Sequence, residues 1–167
     1  MKLLSKQFFS FDSEIVAKNL VWKTIQVWNK RGIIIETEAY KQDCDQASHA
    51  FWKKTTRNAL MYETYGFVYV YLIYGMYYCL NFTTDKNKAG AVLIRWIQDI
   101  QTNKIYDGCG KVCNYFQIDK KFNGLDLQNN DKIKIYDNWI KIKNIKVATR
   151  KWISKATDKL WRFIWEI

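Results

Sequence analysis

A chain of 167 residues is most simply one domain, spanning residues 1–167, and it is long enough to bury a substantial hydrophobic core. Hydrophobic residues make up 49% of it and aromatic residues 17%, which excludes a disordered chain, while 26% charged residues exclude a membrane bundle. The formal net charge of +11 indicates a polyanionic partner, with nucleic acid the first candidate. An AT-rich codon bias, indicated by abundant lysine, asparagine and isoleucine and by the absence of proline, is the competing explanation of that charge.

The cysteine and histidine content limits the possible chemistry. Four cysteines show no CxxC spacing, and we expect them to stay reduced in a cytoplasmic protein. His49 is the only histidine, which excludes a multi-histidine metal centre, and no nucleophile elbow accompanies it. If the protein is an enzyme, a carboxylate is therefore its natural base, and we expect neither a metal nor an organic cofactor.

Membrane and export signals are weak in this sequence. The apolar stretch at the N-terminus is interrupted by Lys6 and Gln7, so we expect no signal peptide. The apolar run 66–82 is too short and too rich in tyrosine to span a bilayer comfortably. We therefore expect a cytoplasmic protein without membrane contact.

The first predicted elements are a helix and a hairpin. Apolar residues on helical spacing predict a helix within residues 12–25. Residues 25–29 and 32–38 have the β-branched composition of strands, and they are predicted to form a hairpin that turns near residues 29–32. Two polar stretches that follow are predicted to be irregular: 41–54 and 55–58.

The second of these strands ends in two acids. Residues two apart on a strand share a face, so Glu36, Glu38 and Tyr40 are predicted to line one side of it. Carboxylates at such a place are either solvated strand-end residues or groups held in a partly desolvated pocket for acid–base chemistry. Position alone favours the first of these interpretations.

An aromatic hairpin follows in residues 67–82. Two β-prone runs flank Tyr74 and Gly75, and the glycine supplies the backbone freedom that a tight turn needs. Tyrosines within strands usually serve packing. A large aromatic side chain at an exposed turn leaves apolar area in water unless a partner covers it, and a DNA base step is one such partner.

The rest of the chain is predicted to contain one long strand and several short elements. Residues 89–97 form a strand in which Arg95 needs a carboxylate or a route to solvent. Residues 98–106 are predicted to be helical, and residues 107–111 to form a glycine-bearing turn that does not match a P-loop. Short strands are predicted at 132–136, 139–142, 145–147 and 160–165.

Several motifs in this region are similar to one family. The run from Ile33 to Arg95 contains IIIETEAY, ASHAF, TTRNALMY, FVYVYLIYGMYYCLNF and AVLIRW in that order. This pattern resembles the alkyladenine (3-methyladenine) DNA glycosylase family, specifically over residues 31–97. The similarity continues through GCGKVCNYFQID, where the family usually has a Gly-Pro-Gly-Lys-like turn, and through LWRFIW. It implies, as the mixture of elements does, an α/β domain of the α+β type with a curved, mainly antiparallel sheet, flanking helices and a protruding β-hairpin.

The resemblance also implies roles for single residues. Glu38 matches the general base that deprotonates the attacking water, and Arg95 matches the arginine that helps to fix this water. The positions that match the family's base pocket are Tyr40, His49 and Tyr71, which would sandwich the extruded base, and Asn81, which would crowd the amino group of normal guanine. Tyr74 matches the wedge that fills the gap in the duplex. Glu36, Arg57, Asn58 and Lys111 are assigned no more than structural support or contact with the DNA backbone.

The function that the resemblance implies is hydrolysis of damaged purines from double-stranded DNA by a monomeric enzyme. The family pattern places no lysine in the pocket, so water is the expected nucleophile and an abasic site the expected product. Two alternatives stay open at this point: a non-catalytic basic DNA-binding module and, less favoured, a metal-dependent hydrolase. The chain departs from the family at Ala148, which takes the place of a glycine in a segment that also binds the water, and in its lack of proline.

Overall fold

The computed structural model describes residues 1–139 and 144–166, which form ten β-strands, three α-helices and two short 3-10 helices. The helices are α1 (Ser13–Leu20), α2 (Ala59–Glu63) and α3 (Cys109–Phe116), with the 3-10 helices at Lys6–Ser10 and Lys120–Phe122. The strands are β1 (Lys2–Leu3), β2 (Thr24–Val27), β3 (Lys30–Lys41), β4 (Val68–Ile73), β5 (Tyr77–Thr84), β6 (Gly90–Asp99), β7 (Ile105–Asp107), β8 (Ile133–Asp137), β9 (Ile145–Ala148) and β10 (Arg162–Trp165). This is the predicted α+β class.

All ten strands belong to one antiparallel sheet that is organised around β3. Its main order is β1-β8-β2-β3-β6-β5-β4, with β10 pairing to β3 and β9, and β7 pairing to β6. β3 therefore has three partners: β6 pairs with residues 32–41, β2 with residues 30–33 and β10 with residues 36–38. The register between β3 and β6 shifts between Ile34 and Thr37, as at a β-bulge, and such irregularities bend and twist a strand.

The two faces of the sheet differ in chemistry at β3. α1 covers one face, where the Thr37 hydroxyl donates to the Ala17 carbonyl (2.8 Å). The main hydrophobic core lies on this side and includes α1 residues together with Ile94 and Leu80. Alternate residues of the same strands point to the opposite face, so the acids of β3 lie away from α1. The Asp12 side chain caps α1 by accepting from the Glu14 backbone N–H (2.8 Å).

Most of the predicted elements are confirmed, with small shifts of their bounds. The first helix, the hairpin of β2 and β3, the aromatic hairpin of β4 and β5, and the strands β6, β8, β9 and β10 lie where the sequence predicts them. The first hairpin turns slightly earlier than expected, at Trp28 and Asn29. The strand predicted at 139–142 lies mainly outside the described residues, and Trp139 itself is not in a strand.

The prediction of a helix at residues 98–106 is wrong. β6 continues to Asp99, and a turn then leads into β7, which pairs with β6. The Asp99 carboxylate stabilises this turn because it accepts from the Gln101 backbone N–H (3.0 Å) and from the Thr102 hydroxyl (2.6 Å). These side-chain bonds to nearby groups compete with a helix, and Asn103 completes the turn with φ +58°.

Among the described residues no helix is long and apolar enough to cross a bilayer.

Candidate active site

Strand register brings the predicted site residues to one face of the sheet. Glu38 on β3 pairs with Leu93 on β6, Leu93 pairs with Asn81 on β5, and Asn81 pairs with Tyr69 on β4. Directly opposite residues of antiparallel strands share a face, so these four side chains lie on the side of the sheet that α1 does not cover. Arg95 lies two residues beyond Leu93 and joins them.

Glu38 is fully buried, with hydrogen bonds to both carboxylate oxygens. Its Oε1 accepts from the Lys151 backbone N–H (2.8 Å), and its Oε2 accepts from the Tyr40 hydroxyl (2.9 Å). The Arg95 Nε lies 3.5 Å from Oε1. Burial raises the pKa of the Glu38 carboxyl above its usual 4.5, although Arg95 and both hydrogen bonds oppose this shift. A carboxylate with a raised pKa is a stronger base, and its charge is still supported by three donors.

Glu36 has a different environment from Glu38, although both are fully buried. Its Oε1 accepts from Arg95 Nε (2.8 Å) and its Oε2 from Arg162 Nη1 (3.3 Å). Two guanidinium groups therefore neutralise Glu36, whereas Glu38 is near Arg95 alone, whose Nε lies 2.8 Å from Glu36 and 3.5 Å from Glu38. These contacts are those of a buried ion pair that positions Arg95.

A small cavity is lined in part by Tyr40, whose hydroxyl donates to Glu38. Its volume is about 20 Å³, and it is lined by Tyr40, Ala47, His49, Met61, Tyr69, Tyr71, Asn81 and Ala91. A cavity of 10 to 15 Å³ measured in this way holds about one water molecule. The structure thus brings all four predicted base-pocket residues together, but it holds them around a space that fits a water and not a purine.

The aromatic side chains that line the cavity are in mutual contact. The His49 and Tyr71 rings meet edge to face with their centroids 4.5 Å apart, and His49 Nδ1 lies 2.9 Å from the Tyr69 hydroxyl. Burial and the nearby Arg57 lower the pKa of His49, so its imidazole is neutral at physiological pH. Burial raises the pKa of Tyr69 to about 12 and also raises that of Tyr71, so both phenols stay protonated.

Tyr40 is held by an ion pair that the sequence analysis did not find. Arg150 lies over the Tyr40 ring with its guanidinium carbon 4.6 Å from the ring centroid, and it makes a bidentate pair with Asp45 (2.6 and 2.7 Å). Both charged side chains are completely buried. Arg150 also donates to the Ala39 carbonyl (3.0 Å) and precedes Lys151, whose amide reaches Glu38. This pair therefore fixes both groups that donate to Glu38.

Asn81 is buried at the floor of the cavity. Its Nδ2 donates to the carbonyls of Tyr69 (3.2 Å) and Cys79 (3.3 Å), which fixes the orientation of the amide. The side-chain oxygen is then the end that is free to meet a group in the cavity. An amide oxygen repels another acceptor and binds a donor. The amino group of guanine is a donor, so its expected exclusion by Asn81 depends on the space that the side chain occupies and not on hydrogen bonding.

Tyr74 lies apart from the cavity, at the exposed tip of the β4–β5 hairpin. Its side chain is 80% exposed. The turn is closed by the Met76 N–H donating to the Ile73 carbonyl (3.1 Å), and both central residues have positive φ, +50° at Tyr74 and +67° at Gly75. A non-glycine residue in this region is strained, so the turn presents an aromatic ring to solvent at some cost in stability.

Besides Glu36, the three other residues assigned to support or backbone contact have different surroundings. Asn58 is buried and holds the loop around His49, since its Nδ2 donates to the His49 carbonyl (2.7 Å) and the Lys53 carbonyl (2.9 Å). Arg57 is exposed beside the hairpin and donates to the Leu72 carbonyl (3.3 Å). Lys111 is exposed on α3 and pairs with Asp107 (2.6 Å), at the surface rather than in the pocket.

Several site residues had weak or no signals in the sequence. The sequence does contain a signal for Tyr69, because this residue lies two positions before Tyr71 on a strand and must share its face. Lys151 contributes a backbone amide, which no side-chain pattern reveals, and Asp45 and Arg150 are 105 positions apart. Ala148 lies in β9 opposite Arg162, and Lys151 rather than Ala148 donates to Glu38.

Comparison with known proteins identifies the family of this chain. The family model of methylpurine-DNA glycosylase (MPG) matches residues 7–166. Proteins named "Putative 3-methyladenine DNA glycosylase" from Rickettsia felis, Rickettsia rickettsii and Ehrlichia ruminantium are each 42% identical to this chain. The matches cover 97%, 96% and 97% of this chain, and 92%, 88% and 88% of those proteins. The chain therefore belongs to the methylpurine-DNA glycosylase family and is a DNA N-glycosylase.

Proposed function

We propose that this protein is a monofunctional glycosylase that releases alkylated purines of the 3-methyladenine type from double-stranded DNA by base flipping. The observation that supports this most directly is Glu38, a fully buried carboxylate that accepts from Tyr40 of the aromatic cavity and lies within reach of one arginine. Binding to the DNA backbone needs no such group. The product is an abasic site, which is the substrate of later steps in base excision repair.

The chemical step follows from the surroundings of Glu38. The ionised carboxylate takes a proton from a water molecule while the C1′–N9 bond of the nucleotide breaks, and the oxygen of that water attacks C1′. The electron pair of the broken bond leaves with the purine, which is already cationic when it is alkylated at N3 or N7. The sugar gains oxocarbenium character in the transition state, and the negative charge of Glu38 stabilises it. Arg95, which is oriented by Glu36, holds the water in line.

Substrate entry requires the cavity to open. Extrusion of a base from the stack costs a few kcal/mol, and least for a damaged or mispaired base. Tyr74 at the hairpin tip compensates for part of this cost by inserting into the gap, as wedge residues of minor-groove binders do. The rings of His49 and Tyr71, now in edge-to-face contact, then separate and stack on the purine together with Tyr40, at about 1 to 3 kcal/mol per stack.

The proposal also covers the oligomeric state, the localisation and the nucleophile. The site is complete within one chain, which is consistent with a monomer. The proposed localisation is the cytoplasm, in association with the nucleoid if the source is a prokaryote, because the DNA substrate is found there. The proposed nucleophile is water, so borohydride is expected to trap no covalent adduct between protein and DNA.

The test is base release from alkylated duplex DNA without added metal, by the wild type and by Glu38→Gln. Glutamine can still accept from the Lys151 amide and donate to the Tyr40 hydroxyl, so the variant is expected to fold and to bind damaged DNA. Loss of a general base slows the reaction by about 10²- to 10⁴-fold. Absence of base release by the wild type, or equal rates for the two proteins, would show that the proposed mechanism is wrong.

A further inference from the structure

Two cysteines that the proposed mechanism does not use lie next to the base pocket, since Cys79 pairs with Tyr71 and is two residues from Asn81 on β5. The Cys79 thiol on β5 donates a hydrogen bond to Cys109 Sγ, with 3.1 Å between the sulfurs. Cys79 is 1% exposed, and Cys109, the first residue of α3, is partly exposed. One residue of the pair is thus partly accessible from solvent, and the other is buried.

Packing fixes the distance between these sulfurs. Gly110 lies so close to Tyr77 that an added Cβ would be 2.9 Å from its Cδ1 atom. Tyr77 and Cys79 are two apart on β5 and share a face, so the first turn of α3 lies flat on this part of the strand. The glycine therefore permits the close approach that places Cys109 against Cys79.

The pair is also in contact with the site residues. Cys79 lies directly opposite Tyr71 in the strand register, and its carbonyl accepts from the Asn81 amide (3.3 Å). The hydrogen bond from Cys79 and, to a smaller extent, the nearby Arg95 guanidinium lower the pKa of Cys109 to about 7, although burial opposes them. The contact with Cys109 and burial raise the pKa of Cys79. At neutral pH, Cys109 is therefore partly ionised to the nucleophilic thiolate and faces a protonated thiol.

We propose that Cys79 and Cys109 are a redox modification site: a peroxide converts them to a reversible disulfide, and this bond slows base release. The Cys109 thiolate attacks one peroxide oxygen and becomes a sulfenic acid, and the other oxygen leaves as water after taking up a proton. The Cys79 sulfur then attacks the sulfenic sulfur and displaces its hydroxyl as a second water. Two thiols lose two electrons in total, and the peroxide is reduced by two.

The expected consequence follows from the geometry. A disulfide bond is about 2.05 Å long, so the sulfurs must approach by about 1 Å. The movement pulls the first turn of α3 and β5 together beneath Tyr71 and beside Arg95. A displacement of about 1 Å near a catalytic group can slow a reaction by about 10²-fold, so a loss of about 10- to 100-fold is expected.

The experiment uses the full chain, fully reduced and then treated with hydrogen peroxide. Remaining thiols are alkylated, and disulfide-linked peptides are identified by mass spectrometry. Release of 7-methylguanine from duplex DNA is measured before oxidation, after oxidation and after dithiothreitol. The expected result is a Cys79–Cys109 cross-link, a slower reaction and recovery with the reductant.

Two variants sharpen this test. Cys109→Ser is expected to keep the activity of the reduced enzyme and to lose both the cross-link and the reversible slowing. Cys44→Ser removes an exposed thiol elsewhere and is expected to behave as the wild type. A cross-link from Cys109 to Cys113, no cross-link at all, or a cross-linked enzyme of unchanged rate would each overturn the proposal. The peptide map does not depend on base release, so its failure is distinct from a failure of the proposed function.

Discussion

Removal of the positive charge of Arg95 is expected to shift the pH at which the enzyme becomes active. In the proposed mechanism Glu38 acts as a base only when ionised, so base release should rise with pH through the pKa of this carboxyl. Burial already raises that pKa, and Arg95 is the largest influence that lowers it. The variant Arg95→Gln keeps a hydrogen-bonding side chain but loses the charge, so the pKa of Glu38 should rise further and the acidic limb should move to higher pH.

The size of this shift follows from the distance between the charges. Arg95 Nε lies 3.5 Å from Glu38 Oε1, and both side chains are at most 7% exposed. At an effective dielectric constant of about 20, charges at this distance interact with about 5 kcal/mol. One pKa unit corresponds to about 1.4 kcal/mol, which sets an upper limit near 3.5 units. Opposite charges at such distances usually shift a pKa by about 1 to 3 units, and this is the expected movement of the limb.

The assay is single-turnover release of 7-methylguanine from duplex DNA over a range of pH. A cationic leaving group needs no protonation, so the acidic limb reports the base alone. Arg162→Gln is the matched control, because it removes an equal charge that contacts Glu36 and not Glu38. If the limb of Arg95→Gln coincides with that of the wild type, or if the control moves as far, then Arg95 does not set the ionisation of Glu38.

Two further predictions concern stability and DNA binding. Tyr74→Gly should melt at a temperature no lower than that of the wild type, because a left-handed conformation costs a non-glycine residue about 1 to 2 kcal/mol and glycine removes that cost. The same variant should bind duplex DNA with a damaged base more weakly, whereas the control Tyr74→Phe should match the wild type in both measurements. Undiminished DNA binding by Tyr74→Gly would argue against the proposed wedge. Arg150→Met should lower the free energy of unfolding by about 3 to 5 kcal/mol, since the Asp45 carboxylate then stays buried without its cationic partner and keeps only the backbone N–H groups of Lys41 and Ala47. Adding Asp45→Asn to it should restore part of this loss in chemical denaturation, and full additivity of the two changes would contradict the pairing.

The fold could be predicted from the sequence where patterns are local. β3 and the aromatic hairpin have strong β-branched or aromatic runs, and Gly75 marks the turn between β4 and β5. The prediction of a helix at 98–106 fails because the side chains of Asp99 and Thr102 hydrogen-bond to each other in a turn. This bond depends on β6 ending at Asp99. The pairing of β10 with β3 joins residues more than 120 positions apart, which no local pattern contains.

The site was predictable only in part, for a similar reason. Alternation along β3 places Glu36, Glu38 and Tyr40 on one face, but it treats the two acids alike. Their difference comes from Arg162 in β10, which reaches Glu36, and from the Lys151 amide, which reaches Glu38. Both partners lie in the last third of the chain. Residue spacing could therefore propose a buried acid, while only the tertiary contacts tell the two carboxylates apart.

The residues proposed to carry out the chemistry and those proposed to recognise the damaged base lie on different parts of the fold. Glu38 and Arg95 lie on β3 and β6, which pair over nine residues at the centre of the sheet. Tyr71 and Tyr74 lie on a hairpin that extends beyond this centre, and His49 lies in a loop. Central strands open less readily than hairpins and loops. The catalytic pair can therefore stay fixed while the aromatic groups move apart to admit a purine. A change in the hairpin should then alter binding of damaged DNA without moving the acidic limb that Glu38 sets.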